Sequence, residues 1–203
     1  HFDRNRGLVA AHQPAPIVVS AHDGTTSAVP GMSHLIADLT VVPRRAAERF
    51  SERVVRVPVF SIQRPIDGAP VLAPPPVLTE GRITFGSFNN PSKITRATVR
   101  LWAGALKAVP NSRLMLKYRN AFSAARLRDR IHGMFRVEGV QPDRLVIVAS
   151  TTTADPVGAH LALYNHVDIA LDTVPFNGST TTFEALWMGV PVVTLLGDTM
   201  MSR

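Results

Sequence analysis

A doubly wound α/β domain with a parallel sheet is the fold that residues 82–203 predict. Two observations carry this. Short apolar runs alternate strictly with amphipathic stretches whose apolar residues recur at spacings of three and four. The composition also shifts near residue 75, from proline-punctuated segments to this regular pattern.

Taken in order, Ile83-Thr84-Phe85-Gly86-Ser87-Phe88 reads as a buried strand and Asn89 to Lys93 as a polar loop. Val99, Trp102, Leu106 and Val109 mark a helix that Pro110-Asn111 ends. Arg113 to Lys117 makes a second strand, and Leu127, Ile131 and Met134 a second helix before Gly139. Leu145 to Ala149 is a third strand, after which the polar run Ser150 to Asp155 leads into a helix carrying Val157, Leu161 and Tyr164 on one face. Val167 to Leu171 is a fourth strand, Thr173 to Thr180 a loop, Thr182 to Met188 a helix, and Val192 to Leu196 a fifth strand. Trp102 and Trp187 read as core, and Tyr164 and His166 as packing. Before this domain, apolar runs at Pro16 to Ser20 and Leu35 to Leu39 flank a turn at Asp23-Gly24, and Pro65 to Pro76 has the stiff composition of a connector.

The chain of 203 residues is 45% apolar, enough for a packed core. It has no cysteine, which excludes disulfides, thiolate zinc sites and cysteine nucleophiles, and fits a cytoplasmic setting. No apolar run approaches the ~20 residues that cross a bilayer. The chain starts at His1 and breaks off after an apolar run, so it reads as a piece of a longer protein. Its net charge of +7 is uneven: residues 1–144 hold 21 Lys and Arg against 10 Asp and Glu, whereas 145–203 hold Arg203 against five acids. The arginines at 44, 45, 49, 53 and 56, and those from Arg96 to Arg136, stand at helical spacing and read as solvated helix faces. A phosphate-backbone track would add stacking aromatics, which are scarce here, so a nucleic-acid module is the weaker alternative.

In an open parallel sheet, ligands bind beyond the carboxyl ends of the strands, where helix N-termini present free N–H groups. Three loops meet that rule: Asn89 to Lys93, Thr151 to His160, and Pro175 to Thr181. In the last, Asn177-Gly178 allows a tight turn, and Ser179-Thr180-Thr181-Thr182 brings hydroxyls and amides to a helix start, a plausible phosphate cradle. Thr181 to Glu184 also fits a capping box, which leaves an ordinary helix cap as the alternative. Lys93 could neutralise a diphosphate or simply be solvated, and His160 could cap its helix. No Gly-rich phosphate-binding fingerprint, HExxH, GxSxG or DxD pair is present.

Taken together, Phe85-Gly86-Ser87-Phe88-Asn89-Asn90-x-x-Lys93, Leu101-Trp102, Val109-Pro110-Asn111-Ser112, His160-Leu161-Ala162-Leu163-Tyr164, Val167 to Thr173, and Phe176 to Thr182 continuing through Glu184-Ala185-Leu186-Trp187-Met188-Gly189-Val190-Pro191 carry a specific resemblance. They resemble the C-terminal catalytic region of the O-linked N-acetylglucosamine transferase and SPINDLY family. The resemblance implies a GT-B glycosyltransferase with Rossmann-like lobes: residues 1–64 as part of the N-terminal catalytic lobe, 65–80 as a Pro-rich linker, and 81–203 as the nucleotide-sugar-binding lobe. It implies that Lys93 contacts the diphosphate and is catalytic, with Asn89 and Asn90 beside it. It further implies that His160 packs near the nucleotide, that the Thr180 and Thr181 hydroxyls bind phosphates with Asn177, Gly178 and Ser179 in the same substrate site, and that Glu184 meets the ribose. No metal or other cofactor is implied, and neither a membrane nor a nucleic acid; the partners are a UDP-sugar or GDP-sugar donor and a protein acceptor. Animal glucosaminyl members carry glutamine at Asn90, histidine at Ser179, aspartate at Glu184 and lysine at Val157. SPINDLY-type members are similar to this version, and some use GDP-fucose. UDP-N-acetylglucosamine is the leading donor, with GDP-fucose, or a non-catalytic nucleotide-sugar-binding fragment, as alternatives.

Overall fold

The computed structural model describes residues 7–21, 26–60, 66–150 and 155–203. The turn expected at Asp23-Gly24, and residues 151–154 of the candidate loop before His160, lie outside them. The chain divides into two compact units, His1–Ile62 with Leu196–Arg203, and Gln63–Leu195.

In the first unit, helix α1 (Gly7–Ala11) precedes three parallel strands, β1 (Val19–Ser20), β2 (His34–Ala37) and β3 (Arg53–Arg56), paired in that order. Leu35, Ala37, Val42 and Met200 form its buried core. The helical face expected over Arg44 to Arg56 is not formed. Val54 and Val55 favour extended backbone, and Arg53 to Arg56 alternate between exposed and half-buried as a strand does. The Arg56 guanidinium donates to the carbonyls of Val42 and Pro43. Glu52 is buried and accepts from the Thr26 and Ser27 hydroxyls and the Ser27 amide, so these donors pull its carboxyl down to about 2 against the cost of burial. Leu196–Arg203, assigned from sequence to the second lobe, belong to this unit. Met200 N donates to Glu48 at 2.6 Å, Arg203 pairs with Glu48, and Arg203 Nε donates to the Val41 carbonyl.

The second unit contains α2 (Val77–Glu80), β4 (Thr84–Ser87), α3 (Arg96–Ala108), β5 (Arg113–Lys117), α4 (Ala125–Val137), β6 (Leu145–Val148), α5 (Pro156–Ala162), β7 (Ile169–Leu171), α6 (Thr180–Trp187) and β8 (Val192–Val193). The sheet is parallel throughout, in the order β6-β5-β4-β7-β8. Its central strands are buried on both faces. In β5, Leu114 and Leu116 join Val99, Trp102, Leu106, Ile131 and Phe135 under α3 and α4. Met115 faces the opposite cluster with Phe88, Leu161, Tyr164, Val167 and Ala185 from the α5 and α6 side. Helices therefore cover both faces, the doubly wound arrangement the alternating pattern predicts.

Local chemistry sets the helix ends. Thr95 caps α3, its hydroxyl accepting from Thr98 N at 3.1 Å. Gly139 stops α4 in the left-handed region at φ 75°, donating to the Arg136 carbonyl while Val140 returns to Phe135. Gly86 in β4 leaves room for Val167, because a Cβ there would stand 2.6 Å from its methyl.

Several expectations are corrected. The fifth strand is two residues long, and Leu195 and Leu196 beyond it are exposed. Trp187 is 43% exposed rather than core, and His166 is exposed rather than packed. As far as it is described, the Pro-rich segment is not a free linker but a strap on the second unit. Asn165 brackets Ala73 N and the Val71 carbonyl, and the buried Asp168 carboxylate accepts from Val77 N at 2.9 Å and Thr84 N at 2.8 Å. Among the described residues no helix is long and apolar enough to cross a membrane.

Candidate functional site

The strand order reverses between β4 and β7, so the loops leaving their carboxyl ends part there and open a crevice. Asn89 to Lys93 follows β4, and Asp172 to Ser179 follows β7 and leads into α6.

Asp172 organises the second loop. Its Oδ1 accepts from the amides of Thr173 at 2.8 Å and Gly178 at 2.7 Å and from Asn89 Nδ2 at 3.3 Å, and its Oδ2 accepts from the Thr194 hydroxyl. Trp102 Nε1 donates to the Asp172 carbonyl, and the Thr95 and Thr98 hydroxyls both donate to the Val174 carbonyl beside the cis Val174–Pro175 bond. Glycine at 178 leaves room for these oxygens: a Cβ would lie 2.6 Å from the Thr182 hydroxyl and 3.0 Å from Asp172 Oδ1 and would displace them.

Lys93 leaves a one-turn 3-10 helix and reaches across the crevice. Its ammonium donates to the Asn177 carbonyl at 2.9 Å and stands 4.0 Å from the centre of the Phe176 ring. Burial pushes its pKa down to about 8, against the opposing pull of Asp172. Asn89 Oδ1 accepts from the Thr181 hydroxyl at 3.1 Å, joining the two loops, while Asn177 Nδ2 donates to the Thr194 hydroxyl and the Leu195 carbonyl.

On the α5 side, His160 Nε2 lies 3.1 Å from Glu184 Oε2 and His160 Nδ1 lies 2.7 Å from Lys117 Nζ. The Tyr164 hydroxyl donates to the Thr181 carbonyl, and burial together with Glu184 pushes the phenol up.

Of the residues singled out in the sequence, Lys93, Asn89, Asn177, Gly178 and Thr181 form one connected group, and His160 and Glu184 adjoin it through Tyr164. Asn90 turns back to cap its own 3-10 turn, accepting from Ser92 N. Ser179 and Thr180 are exposed at the start of α6, and the Ser179 side chain makes no cap. The capping box expected at Thr181 does not form. The helix begins at Thr180, which places Thr181 inside it, where its hydroxyl serves Asn89 and Glu184 serves His160. Sequence reading missed Lys117 and Asp172. Both end apolar strands at the sheet's carboxyl edge, and a charged residue closing a buried run is the signal that would have found them. Among the described residues no group of three His, Asp or Glu converges as a metal-ligand set.

An all-parallel sheet with its crevice at the switch point defines the doubly wound class of α/β lobe, whose ligands bind in that crevice. The chain belongs to glycosyl transferase family 41, whose model matches residues 76–203. It is 36% identical over 201 residues to a tomato (Solanum lycopersicum) protein named "Probable UDP-N-acetylglucosamine–peptide N-acetylglucosaminyltransferase SPINDLY", and equally so to its Arabidopsis thaliana counterpart. It is 33% identical over 209 residues to the Arabidopsis protein of the same name designated SEC. The match to the tomato protein covers 98% of this chain and 21% of the relative, so the chain spans about a fifth of its length. Among solved structures, a mutant O-GlcNAc transferase of Thermobaculum terrenum superposes with a TM-score of 0.82 at 35% identity, over 94% of this chain and 35% of that one. The expectation of parallel α/β units of GT-B type, and of this family, is met.

Proposed function

We propose that the second unit is the donor-binding lobe of a glycosyltransferase that moves a sugar, N-acetylglucosamine from UDP-N-acetylglucosamine as the leading donor, to serine or threonine hydroxyls of a protein, without a metal cofactor. The observation that carries this reading is the Lys93 ammonium held against the Asn177 carbonyl, in the loop that leads into α6 at the switch point, in a chain of family 41. As the acceptor hydroxyl oxygen bonds to the anomeric carbon and releases its proton, the bond from that carbon to the diphosphate breaks and negative charge collects on the leaving group. A half-buried ammonium and the partial positive charge of a helix start answer that charge. Thr181 and the Gly178 loop would face the phosphates, with His160 and Glu184 on the nucleoside side. The names carried by the plant relatives support the UDP donor.

Calorimetric titration with UDP and with GDP tests the site. Heat with UDP and a weaker response to GDP is expected; the reverse order assigns a GDP-sugar, and no heat with either at millimolar concentration removes the pocket. Binding without transfer to a protein acceptor would mark a non-catalytic nucleotide-sugar binder.

A further inference from the structure

His160 stands in the middle of a chain of three side chains, Lys117, His160 and Glu184, whose protons have one consistent placement. Lys117 closes β5, an interior strand of the sheet, and is only 3% exposed. An ammonium carries three donors and no acceptor. His160 Nδ1, 2.7 Å away, therefore accepts, which puts the ring proton on Nε2, where it donates to Glu184 Oε2 at 3.1 Å. The other tautomer would aim an N–H at the ammonium and a lone pair at the carboxylate. Phe88 and Tyr164, with ring centres 5.7 and 5.9 Å from the imidazole, restrict its rotation. Burial lowers the Lys117 pKa, and the Glu184 charge on the far side of the ring opposes that shift.

We propose that Lys117 is a positioning residue of the donor site, fixing His160 as the Nε2–H tautomer and thereby the direction in which Glu184 presents its carboxylate to the nucleoside of a nucleoside diphosphate. The inference rests on the donor reading above for its consequence, but not for the tautomer itself. Which ring nitrogen bears the proton is set by the partner of the other one, and a lysine at the end of a sheet strand is a rigid place from which to set it.

The test uses the 203-residue chain with 15N-labelled histidine. Long-range proton–nitrogen NMR correlations, with His160 identified by its loss in His160→Gln, should show a pure Nε2–H tautomer. Lys117→Met should give a mixture of tautomers, and Lys117→Arg, also donor-only, should restore the wild-type pattern. Titration with UDP and GDP should show affinity falling roughly tenfold in Lys117→Met, the scale of one lost hydrogen bond to a charged group, with recovery in Lys117→Arg. A wild-type His160 protonated on Nδ1 overturns the proposal whether or not any variant folds. So does Lys117→Met with an unchanged tautomer, or with the tautomer mixed and nucleotide affinity intact. Wild-type protein that shows the Nε2–H tautomer yet binds neither nucleotide fails the donor reading instead, and with it the role of Lys117 in that site.

Discussion

Lys93 is held between two opposing influences, burial that favours the neutral amine and Asp172 that favours the ammonium, and burial wins, leaving its pKa near 8. If the charged form is the one that binds a diphosphate, nucleotide affinity should be level below pH 7 and fall as pH rises through about 8. By pH 9 roughly a tenth of the lysine stays protonated, so affinity should be about tenfold lower. Calorimetry at pH 7 and 9 measures this, and a flat profile would separate Lys93 from the ligand. Lys93→Ala should lower sugar transfer by roughly 10²–10³-fold, the effect of removing one preorganised donor, while its melting temperature holds. His132→Ala, on α4 and away from the crevice, should transfer normally. Lys93 was legible because a polar loop after an apolar run is where the fold puts its ligands. Lys117 and Asp172 carried only the fainter signal of a charge closing an apolar run, and what each faces depends on which strands and helices become neighbours. The capping-box alternative at Thr181 fails for a local reason: the Ser-Thr-Thr-Thr run offers several places to start a helix, and α6 starts at Thr180, one residue before it.

The elements with many periodic apolar positions agree with their sequence expectation. Strand β5 has the expected limits, and α3 and α4 enclose the expected apolar positions except Val109, which caps α3. Agreement fails where tertiary partners decide. The arginines at 45, 49, 53 and 56 mimic a helical repeat, but pairing with β2 makes a strand of the last four residues. The prolines of the strap suggest a connector, and local composition could not show that Asp168 and Asn165, some 90 residues downstream, would hold it. Asp168→Asn should cost about 1–3 kcal/mol, because a neutral amide replaces a buried carboxylate that accepts two backbone N–H groups. Faster hydrogen exchange at Val77 should accompany it, and unchanged protection there would show that the strap is held by other means.

Across the whole molecule the excess of arginine has a structural use. Arg144 donates to the carbonyls of Leu106 and Val109 at the end of α3, Arg128 to those of Phe122 and Ser123, and Arg130 to Ile94. These three arginines, which a charge count would assign to an anionic polymer, are thus taken up by helix ends and turns. Glu52 gives the first unit an acid-sensitive point. Its folded pKa, about 2, lies below its ordinary value of 4.5, so its stabilisation is present above pH 4.5 and is lost as pH falls toward 2. Glu52→Gln should melt lower than wild type at pH 6 and converge with it near pH 2, followed by circular dichroism; equal melting at pH 6 would remove this role. The return of Leu196–Arg203 to the first unit means that the polypeptide passes between the units twice, at 62/63 and at 195/196. A single protease nick at the first passage would therefore leave a 63–203 fragment whose last eight residues still carry Met200 into the other fragment's core and Arg203 onto Glu48. The nicked protein should elute as one species on gel filtration, because its final eight residues keep the longer fragment seated in the first unit's core.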